Sequence, residues 1–66
     1  MNIILNGEPK TIESDLTVSK LLEQLGLEHG HVAVAINRQC ILRNTFAHSN
    51  LSENDSVEIL SPMAGG

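Results

Sequence analysis

The sequence predicts an α+β fold: one helix laid across one face of a mixed sheet of about five strands. Three observations carry this. Short aliphatic runs bounded by turn signals recur along the chain. One stretch, Val18 to Leu25, repeats its apolar residues with helical spacing instead. The resulting order is strand, strand, helix, strand, strand, strand, which a two-layer packing satisfies.

The first strand is Asn2 to Asn6, rich in branched aliphatics. Asn6-Gly7 is a strong hairpin signal, because a type I′ turn needs positive φ at both central positions. Pro9 predicts that pairing resumes only after it, so the second strand is read as Lys10 to Ser14. Thr17 is a good helix N-cap. Leu16 and Leu21 flank it with the spacing of a hydrophobic staple, whereas Lys20 stands where a capping-box Glu would be. Val18, Leu21, Leu22 and Leu25 form the apolar stripe, and Gly26 sits where a left-handed C-terminal residue is expected.

Beyond the loop from Glu28 to His31, Val32 to Asn37 alternates large and small apolar residues. Val32, Val34 and Ile36 are expected inward, with Ala33 and Ala35 on the opposite face. Arg38-Gln39 reads as a reversal and Cys40 to Arg43 as a short edge strand. Asn44 to Asn50 has no clear period; Phe46 and Leu51 are its expected anchors. Ser52 to Asp55 is a turn cluster, and Ser56 to Leu60 the last strand, with Val57 and Ile59 inward. Ser61 and Pro62 end it. The helix makes a long crossover, which permits the last strand to run parallel beside the first. That is the β-grasp arrangement of ubiquitin-like domains, although element order alone leaves other options.

Composition narrows the function. Sixty-six residues are read as a single domain, 1–66. Cys40 is the lone cysteine, so no internal disulfide forms and aliphatic packing must hold the core. The net charge is −4, and the four basic residues, Lys10, Lys20, Arg38 and Arg43, are scattered. With Phe46 the lone aromatic, nucleic acid is not an expected partner. A basic patch on a protein suits an acidic domain better. No apolar run is long enough for a membrane span and no signal peptide is evident, so the cytoplasm is the expected compartment. No metal site is expected: His29 and His31 lack an evident third ligand, and with His48 they read as surface loop residues. Cys40, without a neighbouring base, reads as plain packing, and no catalytic constellation has support.

The last residues, Met63-Ala64-Gly65-Gly66, are poor structural material. They offer a slender, flexible arm ending in a carboxylate with no Cβ beside it. Residues 62–66, fully extended, span roughly 17 Å, enough to reach from a docked body into a buried centre.

Several stretches resemble the ThiS family, the sulfur carrier proteins of thiamine biosynthesis. They are Ile3-x-Leu5-Asn6-Gly7, Thr17-Val18-x-x-Leu21-Leu22, Val34-Ala35-Ile36-Asn37 and Arg43 with an aromatic three residues later. Asp55-x-Val57-Glu58-Ile59 and the terminal Gly65-Gly66 complete the set. One departure is Asn54-Asp55, where the family often has Gly-Asp; Asn tolerates the left-handed region, so the turn is expected to survive. The resemblance implies a carrier, not an enzyme. It implies that an E1-like adenylyltransferase adenylates the Gly66 carboxylate with ATP. A persulfide donor, from a cysteine desulfurase or sulfurtransferase, then makes the thiocarboxylate, and thiazole synthase takes the sulfur. No cofactor is bound by the carrier itself. Gly65, Ala64 and Met63 give the reacting end clearance.

Alternation places Ile4 and Leu60 outward with Ala33 and Ala35, as an apolar strip leading to Met63. Ile4, Leu60, Pro62 and Arg43 are the expected docking residues, Arg43 either pairing with a partner's carboxylate or solvating the edge strand. Two other functions stay open. One is the carrier of molybdopterin synthesis, a longer family often ending Pro-Pro-x-x-Gly-Gly, where this chain has Pro62 alone after Ser61. The other is a ubiquitin-like interaction module without carrier chemistry.

Overall fold

The computed structural model describes residues 1–28 and 30–61. Its elements run β1 (Asn2–Leu5), β2 (Glu8–Thr11), α1 (Val18–Gln24), β3 (Ala33–Ile36), β4 (Gln39–Ile41), a 3-10 helix (Arg43–His48) and β5 (Ser56–Leu60). The strands form one sheet in the order β2-β1-β5-β3-β4. β5 runs parallel to β1 and antiparallel to β3, which is the predicted β-grasp topology. His29 and the arm Pro62, Met63, Ala64, Gly65 and Gly66 lie outside the described residues, so the expectations placed on them belong to the proposals below.

Local chemistry sets the elements. Asn6 and Gly7 have φ of 50° and 84°, the left-handed pair that a type I′ turn requires. Thr17 Oγ1 accepts from the Lys20 N–H at 3.2 Å, capping α1. At the other end the Gly26 N–H donates to the Glu23 carbonyl at 3.0 Å and the Leu27 N–H to the Leu22 carbonyl at 2.8 Å. That is a Schellman motif around Gly26, whose φ is 73°. Asn54, with φ 67°, holds the turn before β5 as glycine would.

Alternation sorts the sheet faces. Val18, Leu21 and Leu22 of α1 pack with Ile3, Val34, Val57 and Ile59 in one core, to which Phe46 and Leu51 are anchored. Leu5 and Ile36, at strand ends, are half-buried.

Four local expectations are corrected. Pro9 lies inside β2, opposite Ile4, not before it. β2 is an edge strand, and the Ile4 N–H points the other way, to the Asp55 carbonyl at 2.9 Å. By the same alternation the nitrogen of Pro9 faces outward, where no donor is needed. The β3–β4 reversal is Asn37–Arg38, with φ of 51° and 71°, one residue earlier than read. β4 correspondingly begins at Gln39 and stops at Ile41. Finally, the stretch without a period contains the 3-10 helix. The Thr45 N–H and Oγ1 both donate to the Leu42 carbonyl, at 2.9 and 2.7 Å, closing an i to i−3 turn. Only Phe46 of that helix is buried, so no stripe betrays it.

The central strand β5 is held at both ends by asparagine side chains. At its start the Ser56 N–H donates to Asn37 Oδ1 at 3.0 Å. Near its end the Ile59 N–H donates to Asn6 Oδ1 at 2.8 Å.

Candidate functional site

β5 delivers the chain to its arm, so the surface around its end is the place to look. Val57 and Ile59 are buried; Glu58 and Leu60 therefore project from the face without the helix. Leu60, 69% exposed, is the outermost apolar side chain of β5. Opposite it stands Ala33, and opposite Glu58 stands Ala35, which on its other side faces Cys40. The two alanines make a low floor between taller neighbours. The result is a groove of about 240 Å³ lined by Ala33, Ala35, Arg38, Cys40, Glu58 and Leu60 with Val34 beneath. Leu60 supplies an apolar contact at the end of β5, and Arg38 and Glu58 supply one charge of each sign. Such a surface suits a complementary protein face, where an apolar anchor gives affinity and flanking charges fix register.

Ile4 shares this face but not this groove. It is 41% exposed and level with Ser56, four residues before Leu60 along β5. At roughly 3.3 Å per residue the two are about 13 Å apart along the strand. Glu58 stands between them on the same face. The expected continuous apolar strip is therefore broken, because the parallel register of β1 against β5 sets Ile4 at the far end. Arg38, Cys40 and Glu58 were missed as members of the groove. The signal for Glu58 was in the sequence: it has the same strand parity as Leu60. Arg38 and Cys40 depended on the position of the β3–β4 turn.

Arg43 lies elsewhere. It opens the 3-10 helix and, with Ser19, Leu22, Glu23, Glu28 and Phe46, lines a depression on the helix side. Its guanidinium donates to His31 Nδ1 at 2.8 Å. A larger depression, about 400 Å³, is polar and also on the helix side, formed by residues such as Glu13, Asp15, Lys20 and Glu23. Its Lys20–Glu23 pair, at 3.7 Å, is solvent-exposed and worth little.

Among the described residues no group of three His, Cys, Asp or Glu side chains could hold a metal ion. No buried polar side-chain atom among them lacks a partner. No described helix is long and apolar enough to cross a membrane. Among the described residues, the groove beside Leu60 is the concave surface at the end of β5.

The ThiS family model matches residues 3–66 of this chain. A sulfur carrier protein ThiS of Thermus thermophilus is 37% identical over 62 residues, covering 94% of this chain and 95% of that protein. Its counterpart in Escherichia coli is 32% identical over 66 residues, covering all of both. A crystal structure of a thiamine biosynthesis protein, ThiS, from Geobacter metallireducens superposes with a TM-score of 0.85 at 33% identity, all of both chains being covered. A thiazole synthase of Magnetococcus marinus is 38% identical over 66 residues, and one of Paramagnetospirillum magneticum 30%. The chain spans 20% of the length of those two synthases.

Proposed function

The chain belongs to the ThiS family, and on that footing we propose that it is a sulfur carrier of thiamine biosynthesis, a protein co-substrate and not a catalyst. The observation that carries this is the reach of the family match, which runs through Gly65 and Gly66 to the last residue. Full-length similarity to two proteins named as sulfur carriers supports it.

The chemistry follows from what a carboxylate lacks. Its oxygen is a poor leaving group. An E1-like adenylyltransferase brings ATP to the Gly66 carboxylate; a carboxylate oxygen attacks the α-phosphorus and pyrophosphate leaves. The terminal sulfur of a cysteine persulfide, held by a desulfurase or sulfurtransferase, then attacks the acyl carbon and AMP leaves. A thiol cleaves the resulting sulfur–sulfur bond and releases the thiocarboxylate. Gly66 carries no Cβ to obstruct either attack, and Gly65, Ala64 and Met63 keep the body of the domain clear of the partner's channel. The groove beside Leu60 docks the adenylyltransferase and the acceptor, and Pro62 is a further proposed contact. Arg43, on the helix side, is outside that contact.

Thiazole synthase is the proposed acceptor. Two proteins so named contain a stretch similar to this whole chain, which supports it over molybdopterin synthesis. The test supplies the charged chain as sole sulfur source to thiazole synthase and, separately, to molybdopterin synthase. Thiazole formation that stops when Gly66 is deleted supports the proposal. Transfer only to molybdopterin, or thiazole formation without Gly66, contradicts it.

A further inference from the structure

We propose that Asn6 is a positioning residue for the reactive arm: its side-chain amide fixes the end of β5 and so the direction in which the arm leaves the domain. The proposal rests on the carrier function above. β1 offers β5 main-chain partners only as far as Asn6. The Ile4 N–H donates to the Asp55 carbonyl at 2.9 Å and the Asn6 N–H to the Val57 carbonyl at 2.8 Å. Asn6 then enters the left-handed region at φ 50°, and its own carbonyl turns out of the ladder. Its side chain continues the ladder instead. Oδ1 accepts from the Ile59 N–H at 2.8 Å, and Nδ2 donates to the Ile59 carbonyl at 3.4 Å. The amide thus stands in for the next peptide group of β1.

Ile59 is two residues from Ser61, the last described residue before the arm. On its other side β5 remains paired to β3, Ile59 opposite Val34 and Leu60 opposite Ala33. Without Asn6 the end of β5 is held from one side only, and the point from which residues 62–66 continue loses its fixed direction. The residue type is constrained twice. The turn accepts Gly, Asn or Asp at this φ. Of these only Asn presents both an acceptor and a donor.

Asn37 supplies the internal control. It has φ 51°, its N–H donates to the Ser56 carbonyl at 2.7 Å, and its Oδ1 accepts from the Ser56 N–H at 3.0 Å. Its acceptor half is the same device at the start of β5, while its Nδ2 donates to Asp55 Oδ1 at 3.0 Å.

The experiment measures adenylation kinetics and amide exchange at Ile59 in the wild-type chain, Asn6→Gly and Asn37→Gly. Glycine keeps each turn and removes the side-chain bonds. In Asn6→Gly the Ile59 amide should exchange about tenfold faster, as loss of roughly one hydrogen bond implies. Its kcat should fall by about tenfold with KM within about twofold, because the arm is misplaced while the groove is intact. Asn37→Gly should leave kcat and the Ile59 amide unchanged. A wild-type kcat in folded Asn6→Gly, or an equal fall in kcat in Asn37→Gly, overturns the proposal. If Asn6→Gly does not fold, Asn6→Asp decides: it keeps the shorter bond, sets an oxygen against the Ile59 carbonyl, and should lower kcat about threefold; an unchanged kcat overturns the proposal. A wild-type chain that an active adenylyltransferase does not adenylate overturns the carrier function itself, and the proposal with it.

Discussion

Asn6 and Asn37 each replace a main-chain carbonyl that the turn has carried away, and each does so with its own side chain. At this scale the fold rests on residues chosen for backbone reasons. Gly26 admits the left-handed end of α1, and Asn54 does the same before β5. Thr17 satisfies one orphan donor of α1. Thr17→Ala should therefore lower unfolding stability by about 1 kcal/mol, read from the urea midpoint. An unchanged midpoint would mean that the isolated bridge between Thr17 and Asn50, not the cap, fixes this end. Residue chemistry was largely legible in the sequence: Asn6-Gly7, Thr17 and Gly26 each had one plausible role. Asn37 was not, because the reversal it opens lacks a glycine and was read one residue late.

Elements were legible in proportion to their periodicity. α1 has four apolar residues at helical spacing and was placed correctly. β5 alternates cleanly and was placed to the residue. The 3-10 helix buries Phe46 alone and is stabilised by Thr45 bonding back to Leu42, which leaves no pattern to read. Pro9 misled for a different reason: a proline forbids a central strand, but β2 lies at an edge. Ile4, Leu60, Ala33 and Ala35 were read correctly as sharing a face and incorrectly as a strip, since register between β1 and β5 is a long-range property. This yields an asymmetric prediction. Leu60→Asp should weaken binding to the adenylyltransferase by about 2 kcal/mol, roughly thirtyfold in Kd. Ile4→Asp, some distance from the groove, should weaken it by less than about threefold. Both variants should fold, because both side chains are exposed. Titration calorimetry decides: equal effects, or none in Leu60→Asp, would remove the groove from the account.

The described residues share one core and have few reserves. A domain of this length is expected to have roughly 3–10 kcal/mol of stability. Leu21 is fully buried between α1 and the sheet. Leu21→Ala should cost about 2–5 kcal/mol, a large share of that total, and lower Tm accordingly. A loss below about 1 kcal/mol would show a core that collapses around the gap. Topology at this scale was legible because one crossover helix leaves few ways to close a five-strand sheet. The proposed reacting group was legible only by family resemblance, since a main-chain carboxylate has no side-chain signature. The carrier function therefore stands on one measurement above others: the intact mass of the chain after incubation with ATP, its adenylyltransferase, a persulfide donor and a thiol. The chain should gain one sulfur in place of one oxygen, located by fragmentation at Gly66. An unchanged mass with every partner verified active, or sulfur found on Cys40 instead, would contradict it.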